Sequence, residues 1–165
     1  MLDTIFGLPI HPLIVHATVV VVPSAALAVL LSAVWPRFRE WAGWLTPALA
    51  VAAVVLTPLS TSSGESLEGH VGSSRLVEEH AELADMLIYW VVALLVGAAA
   101  VWWLNRRRAG APRRGLLVAA LVLSVVAGLG TIVQTVLIGH SGAKAAWSDV
   151  AAQSVTAGGG SGDGD

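Results

Sequence analysis

The chain has 165 residues, of which 56% are hydrophobic and only 12% charged, with a formal net charge of -2 and no cysteine. Soluble domains carry about 25% charged residues, and one small core cannot hide such an apolar surplus, so an ordinary soluble fold is excluded and a lipid bilayer is the solvent that fits. Without cysteine there is no disulfide, thiolate zinc site or cysteine-ligated iron–sulfur cluster, and any metal would rest on histidine, carboxylate or backbone.

Crossing a bilayer takes about 20 predominantly apolar residues, and four stretches qualify: residues 12–35, 41–59, 83–104 and 116–139. Asp85 is the only charge inside them, near enough to the start of the third to reach the interface. The N-terminus carries Asp3 and no basic residue ahead of the first stretch, which is also longer than a secretory signal core, so it reads as a retained span. Arg37 and Arg39 lie between spans one and two, and Arg106, Arg107, Arg108, Arg113 and Arg114 between spans three and four, seven of the nine basic residues. The positive-inside rule then places both short loops in the cytoplasm and both termini outside, in the plasma membrane. Trp35, Trp41, Trp44, Trp102 and Trp103 cluster beside the basic loops as an interfacial belt, with Tyr89, Trp90 and Trp147 toward the other surface.

Small residues at four-residue spacing (Ser24 and Ala28, Ala48 and Ala52, Ser124 and Gly128) predict close helix packing. The short connections make two antiparallel hairpins, and the expected fold is all-α: a four-transmembrane-helix up-and-down bundle over residues 1–147. Pro23, Pro47 and Pro58 are expected to kink or end their helices. Residues 148–165 drift into a glycine-rich composition with little to bury, expected to be a disordered tail.

This topology gathers all five histidines at one membrane face. His11 and His16 open the first span, His70 lies in an expected flexible loop, His80 precedes the third span, and His140 closes the fourth. Ten of the eleven acids share that side, all but Glu40. At about 3.6 residues per turn, Leu76, His80, Leu83 and Leu87 form one stripe, with Glu78, Glu82 and Asp85 on the opposite face. A lone imidazole on an apolar stripe points into a bundle and needs a partner there, and imidazole is the commonest protein ligand of transition metals. His80 is therefore the first candidate ligand, His16 the second and His140 the third, with His11 close to the helix start as a fourth. Gly139 and Gly142 are positioned to end the helix and swing His140 inward. Gln134 and Thr135 would then supply the outer hydrogen bonds that ligating histidines use, or serve as helix–helix glue.

His11-Pro-Leu-Ile-Val-His16, His80 before the third span and Gly139-His-Ser-Gly-Ala143 after the fourth resemble a family of uncharacterised four-helix bacterial membrane proteins whose relatives are fused to Rieske iron–sulfur or cytochrome modules. The resemblance runs from about Leu8 to Trp147 and implies electron transfer, with a Rieske or cytochrome domain or a quinone as redox partner.

Three functions follow. The first is a b-type haem protein, part of a membrane oxidoreductase, with imidazoles as axial ligands in an apolar slot; the C-x-x-C-H of covalent attachment is absent. The second is a copper or zinc site of three outer histidines with Glu79 or Asp85 nearby. The third is a non-catalytic anchor or proton-relay subunit of a redox complex. The sequence has no phosphate-binding glycine loop, serine elbow or HExxH, nothing points to nucleic acid, and a homo-oligomer is compatible with the pattern. A reporter active only in the cytoplasm, fused after residue 165, should stay silent; activity there would reverse the orientation.

Overall fold

The computed structural model describes the backbone of residues 4–5, 8–71, 74–107 and 114–158, and side chains over 12–66, 74–107 and 114–147. Two short strands, β1 (Thr4–Ile5) and β2 (Leu8–Pro9), pair antiparallel ahead of the first helix. Five helices follow: α1 (Ile10–Val34), α2 (Pro36–Ala42), α3 (Leu45–Val71), α4 (Arg75–Arg106) and α5 (Arg114–Gly158). Four of them, all but the seven-residue α2, are long and apolar enough to cross a membrane. Each long helix packs against its neighbours in the chain, and α5 closes the ring onto α1, which leaves α1 and α4 on a diagonal with little contact. This is the expected four-helix bundle, and its most extensive seam is α4 against α5.

Local chemistry sets the boundaries. Pro36 stands four residues after Ser32 and has no N–H to offer its carbonyl. Arg39 supplies the missing donors: Nε donates to Ser32 O (2.8 Å) and Nη2 to Ala33 O (3.4 Å), capping α1. Trp41 falls in α2 instead of opening the second span, because the chain must turn at Gly43, whose φ of 49° suits a residue without Cβ. At the start of α4, Ser74 Oγ accepts from Val77 N at 3.3 Å, and Glu78 lies in the first turn.

Several boundaries differ from the sequence expectation. Helix α3 continues to Val71, so the stretch expected to be a flexible loop is helical through His70. Hydroxyls of Thr61, Ser62, Ser63 and Ser66 bond carbonyls three or four residues back, which satisfies polar side chains within the helix. Gly139 and Gly142 do not end α5, which runs on to Gly158, past the expected tail boundary at residue 148; residues 159–165 lie outside the described residues. Pro23 and Pro58 sit inside α1 and α3 without ending them, and Pro47 occupies the first turn of α3, where no intrahelical donor is needed.

The packing faces are lined with small residues. Ala25, Ala26, Ala50 and Ala53 are fully buried with Val22, Val29, Val91 and Leu94. On α5 the expected face is observed: Ser124, Gly128 and Thr131 are buried. On α1 it is rotated by about one residue, with Ser24 exposed and Ala25 and Ala26 inside. In lipid, helices associate through close fit rather than hydrophobic exclusion, and three glycine positions supply it. Gly97 of α4 lies against the backbone of Ser124, where an added Cβ would stand 3.1 Å from Ser124 Cα. Leu30 of α1 fills the space over Gly128, and the six-membered ring of Trp90 lies over Gly130, where a Cβ would come within 2.1 Å of it. Trp90 is thus a packing residue, whereas Tyr89, 76% exposed, keeps the outward position expected of an anchor. Gly130→Ala should cost roughly 1–3 kcal/mol through overpacking, read as a lower unfolding midpoint in detergent. A smaller residue in place of Trp90 should restore part of it; an unchanged midpoint would contradict this fit.

Candidate functional site

At the end of the bundle where the histidines lie, α4 and α5 extend beyond the length a bilayer requires. Helix α4 has 32 residues, about 48 Å at 1.5 Å per residue, against a hydrocarbon core of about 30 Å. The expected phase of α4 is observed: Leu76, His80 and Leu83 are partly buried and Leu87 is buried, whereas Glu78, Glu79, Glu82 and Asp85 are exposed. His80 faces α5, where its ring lies over Gly142; a Cβ on residue 142 would stand 3.0 Å from His80 Cε1. Its Nδ1 is 3.0 Å from Ser141 Oγ, and Ser141 in turn donates to Ile138 O at 3.0 Å. A serine hydroxyl has one proton. Ser141 can therefore give that proton to Ile138 O and accept from an Nδ1–H of His80, or give it to a bare Nδ1. Gly142 therefore makes room for His80 rather than ending α5.

His16 does not join His80. His16 is exposed and its Nδ1 donates back to Pro12 O on its own helix, so its ring is not turned into the bundle. The reason is partly topological, since α1 and α4 are diagonal across the ring of helices. His140 is exposed, the position a straight α5 dictates. It lines a recess of about 230 Å³ with Glu79, Leu137, Ser141 and Lys144. The side chains of His11 and His70 lie outside the described residues. Among the described residues no group of three or more histidines and acids is placed to hold a metal ion. Gln134 and Thr135 do not support a histidine: Gln134 Nε2 donates to Leu83 O of α4 at 2.6 Å, and Thr135 Oγ1 to Thr131 O at 2.8 Å. Gln134 is the helix–helix glue of the alternative expectation.

The opposite end holds a feature that the sequence did not announce. A cavity of about 640 Å³ opens between α1, the α2 turn, α3 and α4. Arg39 and Arg106 stand on it, with Trp44, Trp102 and Asn105, over a floor of Val29 and Ala98. The Arg106 guanidinium sits 4.8 Å from the centre of the Trp102 ring, and Arg107 3.9 Å from that of Trp103, both within cation–π range. Trp102 Nε1 is buried with no hydrogen-bond acceptor among the described residues, an arrangement that costs about 1–3 kcal/mol when nothing else accepts the proton. Buried Ser32 and Thr46 hydroxyls bond each other at 3.1 Å on its wall. In the sequence the only trace of this cavity is the Arg–Trp cluster, which an interfacial belt explains equally well.

Four membrane-length helices, an Arg–Trp collar at one end and a histidine–serine contact at the other define a polytopic helical membrane protein. The chain belongs to the family described as predicted membrane protein (DUF2231), whose model matches residues 7–154. No curated protein and no solved structure matches it.

The magnitudes separate the two α4–α5 contacts. Hydrogen bonds between membrane helices average about 0.6 kcal/mol, and Leu83 O lies within α4, where it also has a helical partner. Gln134→Leu should therefore lower stability by less than about 1 kcal/mol, below the effect of Gly130→Ala in the same unfolding measurement; a larger loss would make Gln134 the principal lock.

Proposed function

We propose that this chain is a membrane anchor and proton-relay subunit of a redox complex, with His80 as its proton-exchanging group. The observation that supports this reading is the His80–Ser141–Ile138 chain, which holds the imidazole by Nδ1; in the arrangement with the hydroxyl proton on Ile138 O, Nε2 is the free nitrogen. Exposed Glu78, Glu79, Glu82 and Asp85 on α4 and His140 on α5 give that end further proton-carrying groups. The redox class rests on the resemblance to chains fused to Rieske or cytochrome modules. The concentration of arginine at the other end favours an orientation with the His80 end extracytoplasmic in the plasma membrane.

A second reading, b-type haem binding, draws on the same tautomer. An axial histidine ligates through one ring nitrogen while the other donates to a neighbour, and His80 offers Nε2 with Nδ1 on Ser141. The nearby recess lined by Ser141 and His140 fits less well, because its volume of about 230 Å³ is below the roughly 300–1,000 Å³ of ordinary small-molecule sites. Copper or zinc would need ligands from His11 or His70 added to His80 or His140.

Two measurements test these readings. Nitrogen-15 NMR of histidine-labelled protein should find the neutral His80 ring protonated at Nδ1 in preference to Nε2, and Ser141→Ala should shift the balance toward the other tautomer. An Nε2-protonated ring in wild type would defeat the relay assignment. Detergent-purified protein from haem-supplied cells should be colourless and metal-free. A Soret band lost in His80→Ala would install the haem reading instead, and stoichiometric copper or zinc the metal-site reading. Leu76, Leu83 and Leu87 remain in that variant to hold α4, so it should still insert.

A further inference from the structure

We infer that the cavity at the Arg–Trp end is a binding site for the phosphate headgroup of one anionic phospholipid. Its composition is asymmetric. The groups on its lining are mostly donors: the Arg106 guanidinium, held over the Trp102 ring, and the Asn105 amide, with Glu40 the only carboxylate on the rim. Arg39 adds a second positive charge while its Nε and Nη2 hold the end of α1. Donors and net positive charge select an acceptor-rich anion, and guanidinium groups suit phosphate oxygens in particular.

The walls select an amphiphile rather than a free ion. Val29, Ala98 and Val101 line the cavity on the bundle side, and Trp41 and Trp44, 77% and 61% exposed, stand at its rim where tryptophan meets the membrane interface. A volume of about 640 Å³ lies within the range of sites for small organic ligands and exceeds what a bare phosphate needs. Basic pockets between membrane helices on the side facing anionic lipid bind such headgroups, and the chain's arginines are concentrated at this end, with Arg37, Arg107 and Arg114 adding to the field around the cavity. A quinone, as a neutral ligand, would leave the net positive charge of Arg39 and Arg106 over Glu40 uncompensated.

Native mass spectrometry of the full chain in a neutral detergent, titrated with phosphatidylglycerol or phosphatidylcholine, tests this. Wild type should retain one phosphatidylglycerol in clear preference to phosphatidylcholine. Arg106→Gln should weaken retention by about tenfold or more, the size of one lost charge-assisted hydrogen bond. Trp102→Phe, which leaves a smaller aromatic ring beneath Arg106, should weaken it by a smaller factor. Arg106 is exposed, so its variant should fold even if the Trp102 variant does not. Equal retention of the two lipids, or retention unaffected by Arg106→Gln, would overturn the inference. So would inorganic phosphate at millimolar concentration displacing the lipid completely, which would mark a free-phosphate site, or a short-chain quinone displacing it more effectively than phosphatidylglycerol.

Discussion

The structure depends on how closely α5 can approach its neighbours. In a bilayer the lipid tails are as apolar as leucine, so helices gain nothing by hiding apolar side chains from lipid and must be held by contact and fit. Gly97 against Ser124, Leu30 over Gly128, Trp90 over Gly130 and His80 over Gly142 are successive expressions of that constraint. Each places a side chain, or a stretch of backbone, in space that only a missing Cβ leaves open. The hydroxyls along the same face bond carbonyls of their own helix, so the seam carries few polar groups that need a partner across it.

Because α4 and α5 are joined so closely along their length, their extensions past the membrane remain together at the histidine end. That proximity gives His80 a fixed neighbour. The Ser141 contact and the space over Gly142 belong to the same seam as Gly97 and Ser124, which makes the candidate chemical group a product of the packing. The opposite end follows a different rule. There α2 interrupts the hairpin between α1 and α3, Arg39 is drawn in to cap α1, and the bundle is left open around Trp102, so the space absent from the α4–α5 seam appears beneath the α2 turn.

The two ends therefore offer opposite chemistry on one scaffold. Exposed carboxylates and imidazoles stand at one end, and guanidiniums stacked on indoles stand at the other. Between them the surface is apolar, with many large aliphatic side chains exposed on the outer faces of the helices, as a lipid-facing surface requires.

Composition and periodicity by themselves determined the membrane environment, the four spans, the charge asymmetry, the inward stripe of His80 and the packing face of α5, because each depends on one helix and its solvent. The helix ends were less legible. Glycine and serine runs after residue 59 and around residue 140 read as breaks on local propensity, but hydroxyl bonds to the preceding turn and packing against α4 keep the helices going. The phase of α1 was missed by one residue because that helix is apolar on all sides and its pattern cannot say which face is inside. Pairing between helices was decided only in three dimensions. His16 and His80 occupy corresponding ends of their spans, yet the order of helices puts them across a diagonal, and the partner of His80 is a serine whose sequence neighbours gave no sign of it. The cavity at the Arg–Trp end is equally a tertiary fact, since a void belongs to no single segment and this one is lined from α1, the α2 turn, α3 and α4 together.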